Sequence, residues 1–205
     1  MASSRDAIFA ALRAASARLP HAEARAAYAA PQLDASFETL AANLAAAGAQ
    51  VVRCEESELA SAVARVPGFA AATHVWSALP AISARGVAVA ARSPHDLAAL
   101  DFAVLRGDLI VAESGAVWNV PRCPLERAAA LLAEHLVLVV PDDAIVSTLH
   151  DAYARIDAAA HAFGWLLAGP SKTADIEQAL VLGAHGPCAA TVILIGERSP
   201  DGGSR

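Results

Sequence analysis

Short apolar runs of strand length alternate with longer stretches that carry the 3.6-residue period of helices, and this alternation is what most restricts the fold. Leu136 to Val140 is an unbroken apolar run, the pattern of a strand buried on both faces. Further strand-like runs are Gln50–Arg53, His74–Trp76, Phe102–Leu105, Leu109–Ala112, Ala116–Val120, Gly164–Ala168 and Thr191–Ile195, with a weaker one at Gly86–Ala91. Between them the periodicity predicts helices over Asp34–Ala47, Glu55–Val66, Arg122–Glu134, Asp143–Ala160 and Thr173–Leu182, and a single turn at Asp96–Leu100. Asp34 and Gly48 are favoured end residues for the first of these. Pro67-Gly68 stops the second. Strands alternating with helices of 10–18 residues imply βαβ units and a three-layer, mostly parallel α/β sheet.

The chain has 205 residues, enough for one domain whose core needs neither metal nor disulfide to hold it. Residues 1–33 read as a helical segment, 34–196 as the α/β domain and 197–205, rich in Pro, Gly, Ser and Asp, as a disordered tail. Met1 to Pro20 has three arginines, several serines and one acid, a composition shared with transit peptides. The stripe of Ile8, Phe9, Leu12 and Leu19 instead favours an amphipathic helix.

Lysine and arginine number 15 against 21 acids, a net charge of −6 with no basic block, which argues against nucleic-acid binding. No apolar run approaches the length of a membrane span. Cys54, Cys123 and Cys188 are odd in number and far apart, so disulfide, zinc-ribbon and iron–sulfur frameworks lack ligands, and a reducing compartment, the cytoplasm, is expected. His150 and His161 would lie about 16 Å apart along one helix. Asp157 and His161 would supply two ligands with no third evident, so no metal site is expected.

Three blocks carry groups able to do chemistry. Gly169-Pro170-Ser171-Lys172-Thr173-Ala174-Asp175-Ile176-Glu177 follows a strand and opens an expected helix. Bare N–H groups at such a junction attract anions, and Lys172, Ser171 and Thr173 add donors. The spacing is not that of a P-loop, and a handful of such bonds gives about millimolar affinity on its own. Ser171 or Thr173 capping the helix, with Asp175 and Glu177 as first-turn acids, accounts for the same pattern without a ligand.

Glu113-Ser114-Gly115 ends an apolar strand, where a carboxylate serves as base or nucleophile or simply stays solvated at a hairpin. Gly183-Ala184-His185-Gly186-Pro187 offers His185 as an acid–base group, or else as part of a helix cap and turn.

Taken in order, Glu113-Ser114-Gly115, the 169–177 block and Val181-Leu182-Gly183-Ala184-His185-Gly186-Pro187 resemble the LUD domain, most closely its lactate-utilisation protein C branch. That resemblance extends over nearly the whole chain. It implies a NagB/RpiA/CoA-transferase-like fold and a part in oxidising L-lactate to pyruvate beside iron–sulfur partner subunits, with no cofactor in this chain. Glu113 and His185 become candidate catalytic residues. Ser114, Gly115, Gly169, Pro170, Ser171, Lys172, Thr173, Asp175 and Glu177 become candidate contacts for a small organic acid or phosphate-bearing ligand.

The family's usual Thr-Gly-Thr after the glutamate is Ser114-Gly115-Ala116 here, an often basic position is Cys188, and the stretch from Gly115 to Leu136 is shortened. Two other functions fit the same residues. One is acyl transfer of the CoA-transferase type with Glu113 as nucleophile; the other is a non-catalytic domain that senses an organic acid.

Overall fold

The apolar run expected to be doubly buried lies at the centre of the molecule. In the computed structural model, which describes residues 3–17, 31–173 and 180–196, Leu136, Leu138 and Val140 face one apolar cluster. Val137 and Val139 face the other. The elements in chain order are α1 (Ser4–Ser16), α2 (Phe37–Ala46), β1 (Ala49–Cys54), α3 (Leu59–Ala64), β2 (Val75–Ser77), α4 (Val87–Ala90), β3 (Phe102–Arg106), β4 (Leu109–Val111) and β5 (Ala116–Asn119). They continue with α5 (Pro124–Leu132), β6 (His135–Pro141), β7 (Ile145–Val146), α6 (Leu149–Arg155), β8 (Trp165–Leu167), β9 (Lys172–Thr173), β10 (Val181–Leu182) and β11 (Ala189–Ile195).

The central sheet has five strands in the order β1-β11-β6-β3-β2, every pair parallel. One face packs on α3 and the turns after it through Leu59, Val63 and Phe69. The opposite face meets Leu40 and Leu44 of α2, Ala129 and Ala130 of α5, and Ile110 and Val117 of a second sheet, ordered β7-β4-β5-β8. The far side of that second sheet, at Leu109, Val111 and Val146, packs on Ala152 of α6. Asn119, 1% exposed, ties the two sheets together. Its amide donates to the Arg106 carbonyl at 2.7 Å and its carbonyl accepts from the Trp165 indole at 2.6 Å.

Several elements differ from expectation for local reasons. Ser36, not Asp34, caps α2, accepting from the Thr39 amide at 3.2 Å. Asp34 braces the cap by accepting from the Ser36 amide at 3.0 Å. Gly86–Ala91 is not a strand, because α4 occupies Val87–Ala90. The helix expected over Glu55–Val66 narrows to a 3₁₀ turn and the six residues of α3.

The long helix expected over Asp143–Ala160 is broken into β7, α6 and two flanking 3₁₀ turns. Ile145 and Val146, both β-branched, join the edge of β4 opposite Ile110 and Val111. Downstream, Asp157 accepts from the amides of Ala159 and Ala160, drawing the backbone into its own turn. His150 and His161 therefore do not share one helix.

Helix α1 is as expected, with Ser3 and Asp6 forming a reciprocal cap. Ile8, Phe9 and Leu12 are exposed, and Leu19, like the 197–205 tail, lies outside the described residues.

Candidate functional site

The helix expected to begin at Thr173 does not start there. Lys172 and Thr173 form β9, paired antiparallel with Leu182 and Val181 of β10. The remaining 174–179 stretch, which includes Asp175 and Glu177, lies outside the described residues. The Ser171 amide, expected to face an anion, donates instead to the Pro187 carbonyl at 2.8 Å. In return the Gly183 amide donates to the Ser171 carbonyl at 2.9 Å. Gly186 passes so close that a Cβ there would lie 3.0 Å from that of Ser171. The two carboxy-terminal sequence blocks thus interlock into one unit. His185 sits exposed on its outer turn, and Pro170 is buried at its base.

This unit walls a cleft of about 520 Å³ at the amino ends of β1, β6 and β11, lined among others by Pro170, Lys172, Leu182, His135 and Cys188. The Lys172 ammonium donates to the Ala47 carbonyl at the carboxyl end of α2, where a cation suits the helix dipole. An ammonium has three N–H donors, so one such bond does not exhaust it. A neighbouring concavity of about 400 Å³, lined by Thr73, Asp101 and Phe102, shares Pro67, His135, Cys188 and Ala189 with the first.

His135 stands at the junction of the two, and the motif reading did not single it out. The register sets it between Phe102 of β3 and Ala189 of β11. Its ring stacks on Phe102 with centroids 4.7 Å apart, and its Nε2 lies 2.8 Å from the Thr191 hydroxyl, which is buried. Burial pushes the imidazole pKa below the usual histidine value, so the ring is neutral at pH 7. The only linear hint was a histidine directly preceding the apolar run of β6.

Asp101, on the rim, accepts from the amides of Thr73 at 2.7 Å and His74 at 2.8 Å. The His74 amide, opposed by some desolvation and helped by Thr73, holds its carboxyl below the ordinary value of 3.8. A depressed carboxyl stabilises the fold above its unfolded pKa and ceases to do so as pH falls through the folded one. Asp101→Asn is therefore expected to lower the urea midpoint at pH 6, with the gap from wild type closing as pH drops below about 3.8.

Glu113 belongs to the second sheet, on the β4–β5 turn. Its Oε1 accepts from the Leu149 amide at 2.6 Å, at the start of α6, and its own amide donates to the Ser147 carbonyl. The Ser114 hydroxyl accepts from the Ala116 amide at 3.4 Å. Gly115 is held at φ +67°, and a Cβ there would lie 2.6 Å from Leu44 Cδ2. Helix α2 touches both regions. The Asn43 amide donates to the Ala112 carbonyl at 2.7 Å, and one turn on, the Ala47 carbonyl meets Lys172.

A third concavity, about 880 Å³, opens at the carboxyl ends of the central strands, the edge where parallel sheets usually bind ligands. Glu55, Glu56, Asp142 and Asp143 outnumber Arg106 on its walls, and Arg53 pairs with Asp142 at 2.8 Å. That charge disfavours an anion. Among the described residues no group of three or more His, Cys, Asp or Glu side chains is placed to hold a metal, and no helix is long and apolar enough to cross a membrane.

A parallel five-stranded sheet with an interlocked loop unit across its amino edge defines the class: an open-sheet α/β protein with a cleft at that edge. The LUD domain family model matches residues 37–195, and the chain belongs to that family. Lactate utilization protein C of Geobacillus kaustophilus is 28% identical over 138 residues, covering 64% of this chain and 54% of the relative. Its namesake in Anoxybacillus flavithermus is 37% identical over 93 residues, 44% of this chain and 42% of the relative. The chain thus spans about half the length of the curated relatives it matches. A DUF162 family protein from Deinococcus radiodurans, solved at 1.70 Å resolution, shares the fold with a TM-score of 0.59 at 20% identity, over 78% of this chain and 96% of that one.

Proposed function

We propose that this chain is a component of a cytoplasmic L-lactate utilisation system that works with iron–sulfur partner subunits to convert lactate to pyruvate, and that its amino-edge cleft takes a small organic acid. The observation carrying this reading is the interlock of the 169–173 and 183–187 segments, which directs the Lys172 side chain into the wall of a cleft sized for a small ligand. A carboxylate or phosphate group takes the ammonium N–H donors not engaged by Ala47.

The Ser171 amide is bonded to Pro187 and takes no part in holding the acid. The cysteines support a division of labour. Cys54 ends β1, Cys123 caps α5 and Cys188 precedes β11, three separate places that do not form a cluster's ligand set.

Acyl transfer by Glu113 gains no support from its geometry, since one carboxylate oxygen accepts from the Leu149 amide at the start of α6. A purely sensing role would use the same cleft, and turnover by the assembled complex distinguishes it.

The test is lactate-dependent electron transfer by the complex recovered from lactate-grown cells. Lys172→Ala is expected to lower it about tenfold or more, the cost of one charge-assisted hydrogen bond. Iron–sulfur subunits are expected to copurify with wild type. Undiminished growth on lactate after deletion of the gene, in a strain with no second system, would overturn the proposal.

A further inference from the structure

His135 satisfies the buried hydroxyl of Thr191 with one ring nitrogen, and that bond accounts for only half of its hydrogen-bonding capacity. Nδ1 has no protein partner among the described residues, and His135 lines both amino-edge concavities. The Phe102 stack and the Thr191 bond together fix the ring plane, so Nδ1 is presented in one orientation. Burial keeps the ring uncharged, which leaves it one donor and one acceptor rather than two donors.

Thr191 gives this pair an unusual property. A hydroxyl both donates and accepts, so it suits either tautomer of the neutral ring. With the proton on Nε2, the ring donates to Thr191 and Nδ1 accepts. With the proton on Nδ1, Thr191 donates to Nε2 and Nδ1 offers an N–H. Neither state leaves a buried polar atom unpaired, and neither changes the charge of the site.

We infer that His135, positioned by Thr191, recognises the oxygen on the second carbon of a short carboxylic acid, accepting from a hydroxyl in a 2-hydroxy acid and donating to the carbonyl of a 2-oxo acid. This rests on the reading of the cleft in which the acid's carboxylate lies at Lys172. It adds the residue pair that reads the second carbon: an acid and its dehydrogenation product bind with similar strength, and the analogue lacking that oxygen binds more weakly. Apolar neighbours such as Leu182, Pro170 and Ala189 suit the short carbon chain between the two polar ends.

The experiment is calorimetric titration of the full chain with L-lactate, pyruvate and propionate at up to tens of millimolar. Wild type is expected to hold lactate and pyruvate alike and to prefer both to propionate by about tenfold, the effect of one hydrogen bond. His135→Phe removes the preference while keeping propionate binding. Thr191→Val weakens the preference and Thr191→Ser restores it, a pattern a merely structural threonine would not produce.

Histidine ¹⁵N spectra of wild type provide a readout independent of any variant's folding. The Nδ1 resonance of His135 shifts in opposite senses with lactate and pyruvate and stays put with propionate. Equal binding of all three acids, still lost on Lys172→Ala, overturns the inference and leaves the anion cleft standing. No binding of any acid overturns both.

Discussion

Alanine in place of Gly115 will destabilise the protein by about 2–4 kcal/mol, combining about 1–2 for a left-handed non-glycine residue with the cost of overpacking a filled core. The turn needs φ +67°, and the new methyl would fall 2.6 Å from Leu44 Cδ2 and 2.9 Å from its Cγ. Leu44 is fully buried, so it has no free direction in which to retreat. Urea denaturation read by circular dichroism checks the figure. The double variant Gly115→Ala, Leu44→Ala separates the two contributions, since it makes room for the methyl while leaving the backbone strain. It is expected to fall short of the summed single effects. A Gly115→Ala midpoint within error of wild type would mean that the hairpin is not clamped to α2 as described.

Replacing Asn119 by leucine is the second large effect, about 2–6 kcal/mol from stranding two partners at about 1–3 kcal/mol each. The Arg106 carbonyl loses its donor and the Trp165 indole its acceptor, in a position 1% exposed to solvent. The loss should be accompanied by altered Trp165 fluorescence, because β8 is attached to the second sheet by its three pairs with β5 and by this indole bond. Stability unchanged from wild type, with unaltered emission, would mean that the two sheets are joined by packing alone.

How far the linear chain discloses this molecule depends on how local each determinant is. The unbroken Leu136–Val140 run has the pattern of a strand buried on both faces, and it is one. Gly48 and Ser36 bound α2 through contacts a few residues long. The 145–160 segment misleads because its alanines have helical period while Ile145 and Val146 pair with β4, some 35 residues earlier, and no local pattern records such a partner.

The same holds for Thr173. Its hydroxyl and the acids after it look like a helix start, yet β10 fixes it as a strand. In the site, the family resemblance brought out Lys172 and the loops that interlock. It did not bring out His135, whose environment arises only when register sets it beside Phe102 and diagonally across from Thr191. For Glu113, sequence shows a carboxylate at a strand end and does not show that the Leu149 amide, 36 residues on, donates to it.

Helix α2 is ten residues long, about 15 Å. It bears on the Glu113 hairpin through Asn43 and Leu44 and on the cleft wall through Ala47. Both contacts fall at its carboxyl end, about 6 Å apart along the helix axis. The cleft wall and the remote glutamate turn therefore rest on the same helical turn as a common support.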